Sequence, residues 1–241
     1  MTDLVIAHLY PDLLRTYGDR GNVVTLRKRA EWRGFGAEVA EVHRDEPLPP
    51  AARVVLIGGG SDRIQEVLGD DMRRRAGELR EAIERDAVVL GICGGYQLLG
   101  HSYTAADGSS IEGLGLLDVT TGAGPGRIIG RVRARGTLDG ESFELFGFEN
   151  HGGRTTLGPD ATPLARVPHG QGNNGTDGGE GAVQGGIVGT YLHGPVLPVN
   201  PAFADRLLAR ALAPVTGGEP LAPLDDRLED AARREAAGLK R

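Results

Sequence analysis

The 241-residue sequence has a single cysteine, Cys93, and only two lysines, Lys28 and Lys240. One cysteine cannot form an internal disulfide, nor can it alone build a cysteine-based zinc or iron–sulfur site, so Cys93 is either an inert core residue or a reactive group. Neither lysine follows a G-x-x-x-x-G run, which excludes a P-loop. If the process served here consumes ATP, we expect that chemistry on another chain.

Long apolar runs and an excess of basic residues are also missing. No apolar run approaches the roughly 20 residues of a membrane-spanning helix, and the first residues lack the basic-then-apolar layout of a signal peptide. The 27 basic residues are outnumbered by 33 acidic ones, for a net charge of −6, which leaves no basic footprint for nucleic acid. We therefore expect a cytoplasmic globular protein that binds no nucleic acid.

The first half of the chain alternates strand and helix patterns. We predict strands over residues 4–7, 38–42 and 53–57, a helix with Asn22 as its N-cap, and a longer helix opened by a capping box of Asp62 and Gln65. Residues 87–92 are apolar without alternation, as in a strand buried on both faces of a parallel sheet. These patterns predict an α/β fold with a mostly parallel central sheet flanked by helices.

The second half changes to shorter strand patterns between glycine-rich turns. We predict strands over residues 114–119, 127–134, 142–148 and 187–192, which add antiparallel strands to the fold. Residues 167–181 contain six glycines and predict an exposed loop. A helix from Pro201 to about residue 212 would complete a domain of residues 1–213, and residues 214–241 would form a linker and a C-terminal helix over 225–239.

Cys93 lies in a pattern typical of a nucleophile elbow. Residues 91–95 read GICGG, between the buried strand and a helix pattern. In an elbow the sharp turn imposes unusual backbone angles on the nucleophile, and small neighbours prevent clashes. The helix N-terminus also favours a thiolate. The alternative is a buried cysteine beside a glycine turn, but the strand and elbow pattern favour a nucleophile.

A cysteine nucleophile needs a base, and six histidines are available. His193 ends an apolar strand pattern and precedes a glycine, which would place its ring at the carboxyl-end rim of a sheet, where open α/β folds bind ligands. His151 is the second choice, because it also follows a strand. We expect His169 and His43 to be solvent-exposed.

Three consecutive glycines, Gly58, Gly59 and Gly60, follow the third predicted strand and precede a helix. Their backbone N–H groups could bind a phosphate, although the pattern is not G-x-G-x-x-G and no acidic residue completes a dinucleotide site. They could instead form an oxyanion hole with the amide of Gly94. A plain tight turn is the third interpretation.

Together these motifs resemble a known family. The pattern Gly91-x-Cys93-x-Gly95-x-Gln97 and the GTYLHG motif of residues 189–194 resemble class I (triad-type) glutamine amidotransferases, in the cobyric acid synthase-like branch. Residues 10–14 (YPDLL), 17–22 (YGDRGN), 147–152 (GFENHG) and 172–174 (GNN) resemble, within that branch, the GatD family, the glutaminase subunits of lipid II isoglutaminyl synthases. The likeness spans residues 4 to about 212.

The resemblance implies a role for each site residue. Cys93 would attack the glutamine side-chain amide, His193 would act as base and then acid, and Gly60 and Gly94 would supply oxyanion donors. Gln97 would contact the substrate. Arg127 matches a glutamine-binding arginine of the family, since a fixed cation can pair with the α-carboxylate, although a solvated charge at a strand start is an equally good interpretation from sequence alone.

One position departs from the wider superfamily. Its members typically carry a glutamate two residues after the histidine, whereas this chain has Pro195, as in the cobyric acid synthase-like branch. Either a dyad suffices, or a carboxylate comes from Glu149, Asp19 or a partner subunit. We favour the partner, because glutaminase activity would then stay low until the complex forms.

The resemblance also implies a partner and a pathway. The partner would be a MurT-like Mur-ligase-type synthetase that holds ATP and Mg, while this chain would need no cofactor or metal. Ammonia would convert D-glutamate of the lipid II stem peptide to D-isoglutamine in peptidoglycan synthesis. The alternatives are a glutaminase for another synthetase such as a corrinoid amidase, whose usual ATP-binding domain this chain has no room for, a cysteine sensor or hydrolase, and a catalytically silent interaction subunit.

Overall fold

A computed structural model describes residues 2–14, 19–105, 107–236 and 238. Tyr17 and Gly18 of the N-terminal motif lie outside these residues. The helices are α1 (Arg20–Glu31), α2 (Asp62–Glu84), α3 (Gly94–Leu99), α4 (Pro201–Thr216) and α5 (Arg227–Ala236). Within the described chain, every helix is too short or too polar to cross a bilayer.

The strands form two sheets. They are β1 (Leu4–Leu9), β2 (Ala37–Val42), β3 (Ala52–Ile57), β4 (Val88–Ile92), β5 (Ser102–Thr104), β6 (Ser110–Glu112), β7 (Val119–Leu138), β8 (Glu141–Leu157), β9 (Ala165–His169), β10 (Gly179–Glu180), β11 (Ala182–Gln184), β12 (Ile187–Thr190) and β13 (Leu192–His193). The first sheet has the order β11-β12-β4-β3-β1-β2. All its pairings are parallel except that of β11 at one edge, which confirms the predicted mostly parallel sheet.

The central strands of this sheet are buried on both faces. Val54 and Leu56 of β3 pack in one core with α1 and α4, whereas Val55 and Ile57 pack in another with α2 and α3. Every residue of β4 is buried, as the unalternated apolar run predicted. Because β3, β4 and β12 are parallel neighbours, the residues that follow them lie together at one edge of the sheet.

The second sheet is centred on a long hairpin of β7 and β8, whose antiparallel pairing confirms the strand additions predicted for the second half. Asp139 and Gly140 form its two-residue loop, and both have positive φ (54° and 77°), as a hairpin turn that follows the strand twist requires. The strand predicted over 187–192 is divided at Tyr191 into β12, in the first sheet, and β13, which pairs with β8. This crossing joins the two sheets beside His193.

The strand predicted over residues 114–119 is wrong except for Val119, which begins β7. The N–H groups of Leu114 and Leu116 donate to the carbonyls of Leu98 and Leu99 at the end of α3. The segment therefore satisfies helix carbonyls that would otherwise be unpaired, while Leu114 is buried in the core. Its apolar pattern reflects that burial and not strand pairing.

Two helix starts also differ from the prediction. Helix α1 begins at Arg20 with Asp19 as its N-cap, because the side chain of Asn22 is buried and accepts a hydrogen bond from the N–H of Leu197 (2.8 Å). Helix α2 begins at Asp62 with Ser61 as its N-cap, and the Ser61 side chain makes no capping hydrogen bond, so the predicted capping box of Asp62 and Gln65 is wrong.

The glycine-rich segment 167–181 is more ordered than predicted. It contains the end of β9 and the whole of β10, and only part of it is exposed. Asn173 is fully buried, and its side-chain amide both donates to and accepts from the backbone of Gly181 (2.9 Å each). A buried asparagine that satisfies neighbouring backbone groups lets a glycine-rich segment pack without a large apolar side chain.

The C-terminal segment is tied to α1. Helix α4 continues through Pro214 to Thr216, so the proposed boundary after residue 213 falls in its last turn. The guanidinium of Arg29 is 2% exposed and donates to Asp205 of α4 and to Asp226, both at 2.6 Å. The predicted C-terminal helix is observed as α5, and residues 237 and 239 of its predicted range lie outside the described chain.

Candidate active site

Cys93 lies between β4 and α3 with φ 50° and ψ −103°. Its N–H donates to the carbonyl of Thr190 on β12 (2.8 Å), and its carbonyl accepts from the N–H of Gln97 (3.0 Å). A Cβ atom on Gly91 would lie 2.5 Å from Leu99, and one on Gly95 would lie 2.3 Å from the carbonyl oxygen of Ile57. The strained nucleophile position and its close-packed glycines are those of the elbow predicted from sequence.

His193 lies beside Cys93 because of strand register. Thr190 of β12 is level with Ile92 of β4, so His193 and Cys93 follow neighbouring strands at the same sheet edge. Gly59 fills the space next to both: a Cβ on this glycine would lie 3.4 Å from His193 Cε1 and 3.5 Å from Cys93 Cβ. The structure therefore brings the predicted nucleophile and base together.

His193 is suited to accept a proton. Its side chain is 2% exposed, and burial, with the positive potentials of His151 and Arg127, lowers its pKa to about 4. The imidazole is therefore neutral near pH 7, which is the form that a general base requires.

The two predicted oxyanion donors lie in contact. A Cβ on Gly94 would be 3.0 Å from both the backbone nitrogen and the backbone oxygen of Gly60, so only a glycine allows this approach. Gly94 immediately follows Cys93 at the start of α3. The amides of Gly60 and Gly94 thus border the same space beside the nucleophile, which favours the oxyanion interpretation over a plain turn.

Arg127 lies at the mouth of the cleft, on β7 next to a register shift between Ala123 and Ile128. In the β7–β8 pairing the shift leaves residues 124–127 without a paired residue on β8. The Nε of Arg127 donates to the side-chain oxygen of Asn150 (2.9 Å) and one terminal nitrogen donates to the Asn150 carbonyl (2.8 Å). An exposed guanidinium held in this way is available to pair with a carboxylate.

Gln97 lines the cleft, but protein groups already hold its side-chain amide. Its oxygen accepts from Gln65 (2.9 Å), and its nitrogen donates to the hydroxyl of Tyr191 (3.1 Å). Sequence reasoning missed both partners, although Tyr191 lies in the GTYLHG motif that pointed to His193. This network fixes Gln97 on the floor of the cleft beside Cys93.

The second-choice base, His151, also lines the cleft. Its ring stacks on Tyr191 with centroids 3.7 Å apart, and its Nδ1 lies 2.8 Å from the carbonyl oxygen of Gly153. A carbonyl only accepts, so Nδ1 carries the proton in the neutral ring. Burial lowers its pKa to about 4. His169 is exposed, as predicted, and His43 is half-exposed beside Asp12.

The two carboxylates of this chain that were considered for orienting His193, Glu149 and Asp19, accept hydrogen bonds from different backbone segments. Both oxygens of Glu149 accept backbone N–H groups of the glycine-rich segment, from Gln171 (2.9 Å) and Gly172 (2.8 Å). Asp19 is fully buried, its Oδ2 accepts from Gly59 (2.6 Å), and burial raises its pKa to about 7. Asp19 thereby contacts Gly59, one of the residues that line the cleft.

The cleft has a volume of about 380 Å³, within the range of small-molecule sites. It is lined by Gly59, Gly60, Ser61, Arg63, Cys93, Gln97, Tyr103, Arg127, Asn150, His151, Gly152 and His193. A larger groove of about 920 Å³ lies between β7, β8, β9 and α5, and contains neither Cys93 nor His193. The chemistry therefore points to the smaller cleft.

Several known proteins are similar to this chain in sequence. The chain is 40% identical over 213 residues to the GatD subunit of lipid II isoglutaminyl synthase (glutamine-hydrolyzing) from Staphylococcus aureus (strain N315), covering 88% of this chain and 85% of that protein. The GatD subunit of Streptococcus pneumoniae (strain ATCC BAA-255 / R6) is also 40% identical, over 87% of this chain and 80% of the subunit. Cobyric acid synthase from Sphingopyxis alaskensis is 33% identical, but the match covers only 39% of its length.

Solved structures share the fold. PurLQS from Thermotoga maritima matches with a TM-score of 0.60 at 18% identity, over 90% of this chain and 100% of the matched one. The glutaminase domain of Trypanosoma brucei CTPS with bound acivicin matches with a TM-score of 0.55 at 11% identity, over 91% and 96%. The family model of the CobB/CobQ-like glutamine amidotransferase domain, which describes the sequence of that domain, matches residues 5–201 of this chain. The chain therefore belongs to the CobB/CobQ-like glutamine amidotransferase family.

Proposed function

We propose that this chain is the glutaminase subunit of a lipid II isoglutaminyl synthase. The observation that carries the proposal is one cleft that holds a strained cysteine, a neutral histidine, two glycine amides in contact and an exposed arginine. The 40% identity to two GatD subunits over most of the chain supports the choice of acceptor pathway.

Glutamine binds with its α-carboxylate on Arg127 and its side-chain amide beside Cys93. His193 accepts the thiol proton, and the thiolate attacks the amide carbon. The resulting oxyanion accepts hydrogen bonds from Gly60 and Gly94. The histidine then gives its proton to the departing nitrogen, which leaves as ammonia, and a γ-glutamyl thioester remains.

Hydrolysis of the thioester uses the same groups in the second half of the reaction. His193 takes a proton from a water molecule as the water attacks the thioester carbon, and the same two amides hold the second oxyanion. When this intermediate collapses, the bond between its carbon and the Cys93 sulfur breaks, and the Cys93 thiolate recovers its proton from the histidine. Glutamate is released and the chain returns to its starting state.

Ammonia passes to a Mur-ligase-type synthetase of the MurT kind, which binds ATP and Mg. That partner activates the α-carboxylate of D-glutamate in the lipid II stem peptide on the cytoplasmic side, and ammonia converts it to D-isoglutamine. Ammonia is mostly protonated and unreactive in neutral water, so we expect a sheltered passage that leads from the cleft to the partner.

The partner also supplies the group that orients His193. Glu149 binds the glycine-rich segment through both oxygens and Asp19 binds Gly59 through Oδ2, and Pro195 takes the place of the glutamate of the wider superfamily; these features support a carboxylate from the partner. A partner carboxylate would favour the imidazolium that forms during catalysis. Because the isolated subunit lacks this carboxylate, its glutaminase activity would stay low until the complex forms. Equal glutaminase rates in the isolated chain and in the complex would contradict this step.

The acceptor is tested by reconstitution. The chain is purified with and without a co-expressed Mur-ligase-type partner, and amidation of lipid II is followed by mass spectrometry with ATP and glutamine. We expect D-isoglutamine only with both subunits, and the Cys93→Ala complex should form it only when ammonium salt replaces glutamine. Amidation of a corrinoid acid, and not of lipid II, would assign the chain to the alternative synthetase.

A further inference from the structure

Asp19 is a buried carboxylate. From sequence alone it is a group that could orient His193, but in the structure it accepts a hydrogen bond from the glycine loop that follows β3. It has no exposed surface, and its Oδ2 accepts a hydrogen bond from the N–H of Gly59 at 2.6 Å. Its Oδ1 has no hydrogen-bond partner within the described chain. Burying a carboxylate is costly, so an arrangement that directs it at one backbone N–H calls for a reason.

The reason lies in the peptide that Asp19 contacts. The carbonyl of Gly58 and the N–H of Gly59 are the two ends of one peptide unit. The carbonyl accepts from the N–H of Gly95 at 3.1 Å, and the N–H donates to Asp19. This unit is therefore held at both ends, by the elbow on one side and by the carboxylate on the other.

The next peptide unit carries the N–H of Gly60, the proposed oxyanion donor. Three consecutive glycines have little steric preference for one backbone orientation over another. Holding the first peptide unit leaves few ways to turn the second, so the contact with Asp19 limits the direction of the Gly60 N–H.

Helix α1 keeps Asp19 in place. Asp19 is the N-cap of this helix, and the backbone around Gly58 approaches it so closely that a Cβ there would lie 2.8 Å from Oδ2. Further along the helix, Asn22 accepts a hydrogen bond from Leu197, which follows His193 in the chain. The helix start is thereby tied to the segment on the base side of the cleft.

We propose that Asp19 is a positioning residue that holds the Gly58–Gly59 peptide unit so that the Gly60 N–H faces the oxyanion formed at Cys93. Asp19 does not touch the substrate, and it acts on the oxyanion hole and not on His193. The inference rests on the proposed glutaminase function and adds to it the residue on which oxyanion stabilisation depends.

The test compares Asp19→Ala, Asp19→Ser and Asp19→Asn in the complex with the synthetase partner. Asparagine keeps a side-chain carbonyl that can accept from Gly59, whereas alanine and serine lack it; serine keeps a small polar side chain at this buried position if alanine fails to fold. Asn22→Ala is the matched control, because it loosens the same helix without touching Gly59. Three quantities are measured: kcat and KM for glutamine, the affinity for glutamate γ-semialdehyde, and the rate at which iodoacetamide alkylates Cys93.

The aldehyde is the most direct probe, because its hemithioacetal oxygen occupies the oxyanion position. We expect Asp19→Ala and Asp19→Ser to lower kcat and aldehyde affinity by similar factors, roughly 10 to 100, which is at or below the effect of losing one oxyanion donor. KM and the alkylation rate should change by less than about threefold. Asp19→Asn should recover most of the loss.

Three outcomes would overturn the proposal. Asp19→Asn as impaired as alanine, with a changed alkylation rate, would show that the charge acts on the cysteine–histidine pair. An equal loss in Asn22→Ala would show general loosening of α1, and wild-type behaviour in all three Asp19 variants would show that the contact with Gly59 does not position the oxyanion hole. Absence of Cys93-dependent glutamate release in the wild-type complex is a separate result, which would overturn the proposed function itself.

Discussion

The two walls of the cleft are built in different ways. One wall follows the parallel strands β3 and β4 and presents backbone groups, the amides of Gly60 and Gly94, next to Cys93. The other wall comes from β7 and β8 and presents the side chains of Arg127 and His151. His193 lies where the two sheets meet.

This difference indicates that the two walls have different roles in the reaction. Backbone amides that neighbouring hydrogen bonds hold in one orientation suit the stabilisation of a charge that appears only in the transition state. Side chains on a twisted hairpin can approach the substrate and the base: burial is the main cause of the low pKa of His193, and His151 and Arg127 lower it further. The first wall is expected to set kcat, and the second to set substrate affinity and proton affinity.

Loss of the base should have the largest effect. His193→Gln removes the group that accepts the thiol proton, so kcat for glutamate release should fall roughly 10³-fold or more. His169→Gln, a change at an exposed histidine on β9, is the control and should leave the rate unchanged. A His193→Gln rate within tenfold of wild type would transfer the role of base to another residue, with His151 the first candidate.

The segment of chain just before His193 is hydrogen-bonded to a buried carboxyl group. Glu180 is fully buried and accepts from the hydroxyl of Thr190 and the N–H of Tyr191. Burial raises its pKa from 4.5 to about 7, so the folded state holds a proton that the unfolded state has lost. Stability from this group is present at low pH and is lost as pH rises through about 7.

Glu180→Gln should remove that dependence. We expect the free energy of unfolding of the wild type, relative to the variant, to fall by on the order of 3 kcal/mol between pH 4 and pH 8. Denaturant melts at several pH values measure this difference, with the exposed Glu112→Gln as control. Parallel pH profiles for wild type and Glu180→Gln would show that the carboxyl is ionised at no cost.

Arg127 tests the second wall alone. Arg127→Gln removes the cation for the α-carboxylate, so KM for glutamine should rise roughly 10- to 100-fold, the value of a charged hydrogen-bonded pair. The value of kcat should change by less than about threefold. Arg131→Gln, also exposed on β7, should be silent, and an equal effect at both positions would mean that only the general charge of the hairpin matters.

The smallest effect is a shift in pH dependence. With a His193 pKa of about 4, the isolated chain should keep the acid limb of its kcat/KM profile near pH 4. In the complex, a partner carboxylate would raise this pKa, so the limb should move upward by about one pH unit or more. Identical limbs in both preparations would argue against a carboxylate from the partner.

The parallel sheet and the main site residues could be predicted from local sequence. An unalternated apolar run followed by GICGG specifies a buried strand and an elbow, and the apolar run before His193 places that residue at the same sheet edge. The contact between Asp19 and Gly59 and the Gln65–Gln97 hydrogen bond escaped prediction, because side chains far apart in sequence leave no periodic pattern. The strand prediction for residues 114–119 was wrong for a related reason. A segment buried beneath a helix end has the same run of apolar residues as a buried strand.

The most direct test of the account is glutamate release from glutamine by the complex of this chain with its synthetase partner, in wild type and in Cys93→Ala. We expect release that depends entirely on Cys93, with both proteins folded and assembled to the same extent. Release that persists in Cys93→Ala, or that is absent from the wild-type complex, would contradict the assignment of this cleft as a glutaminase site.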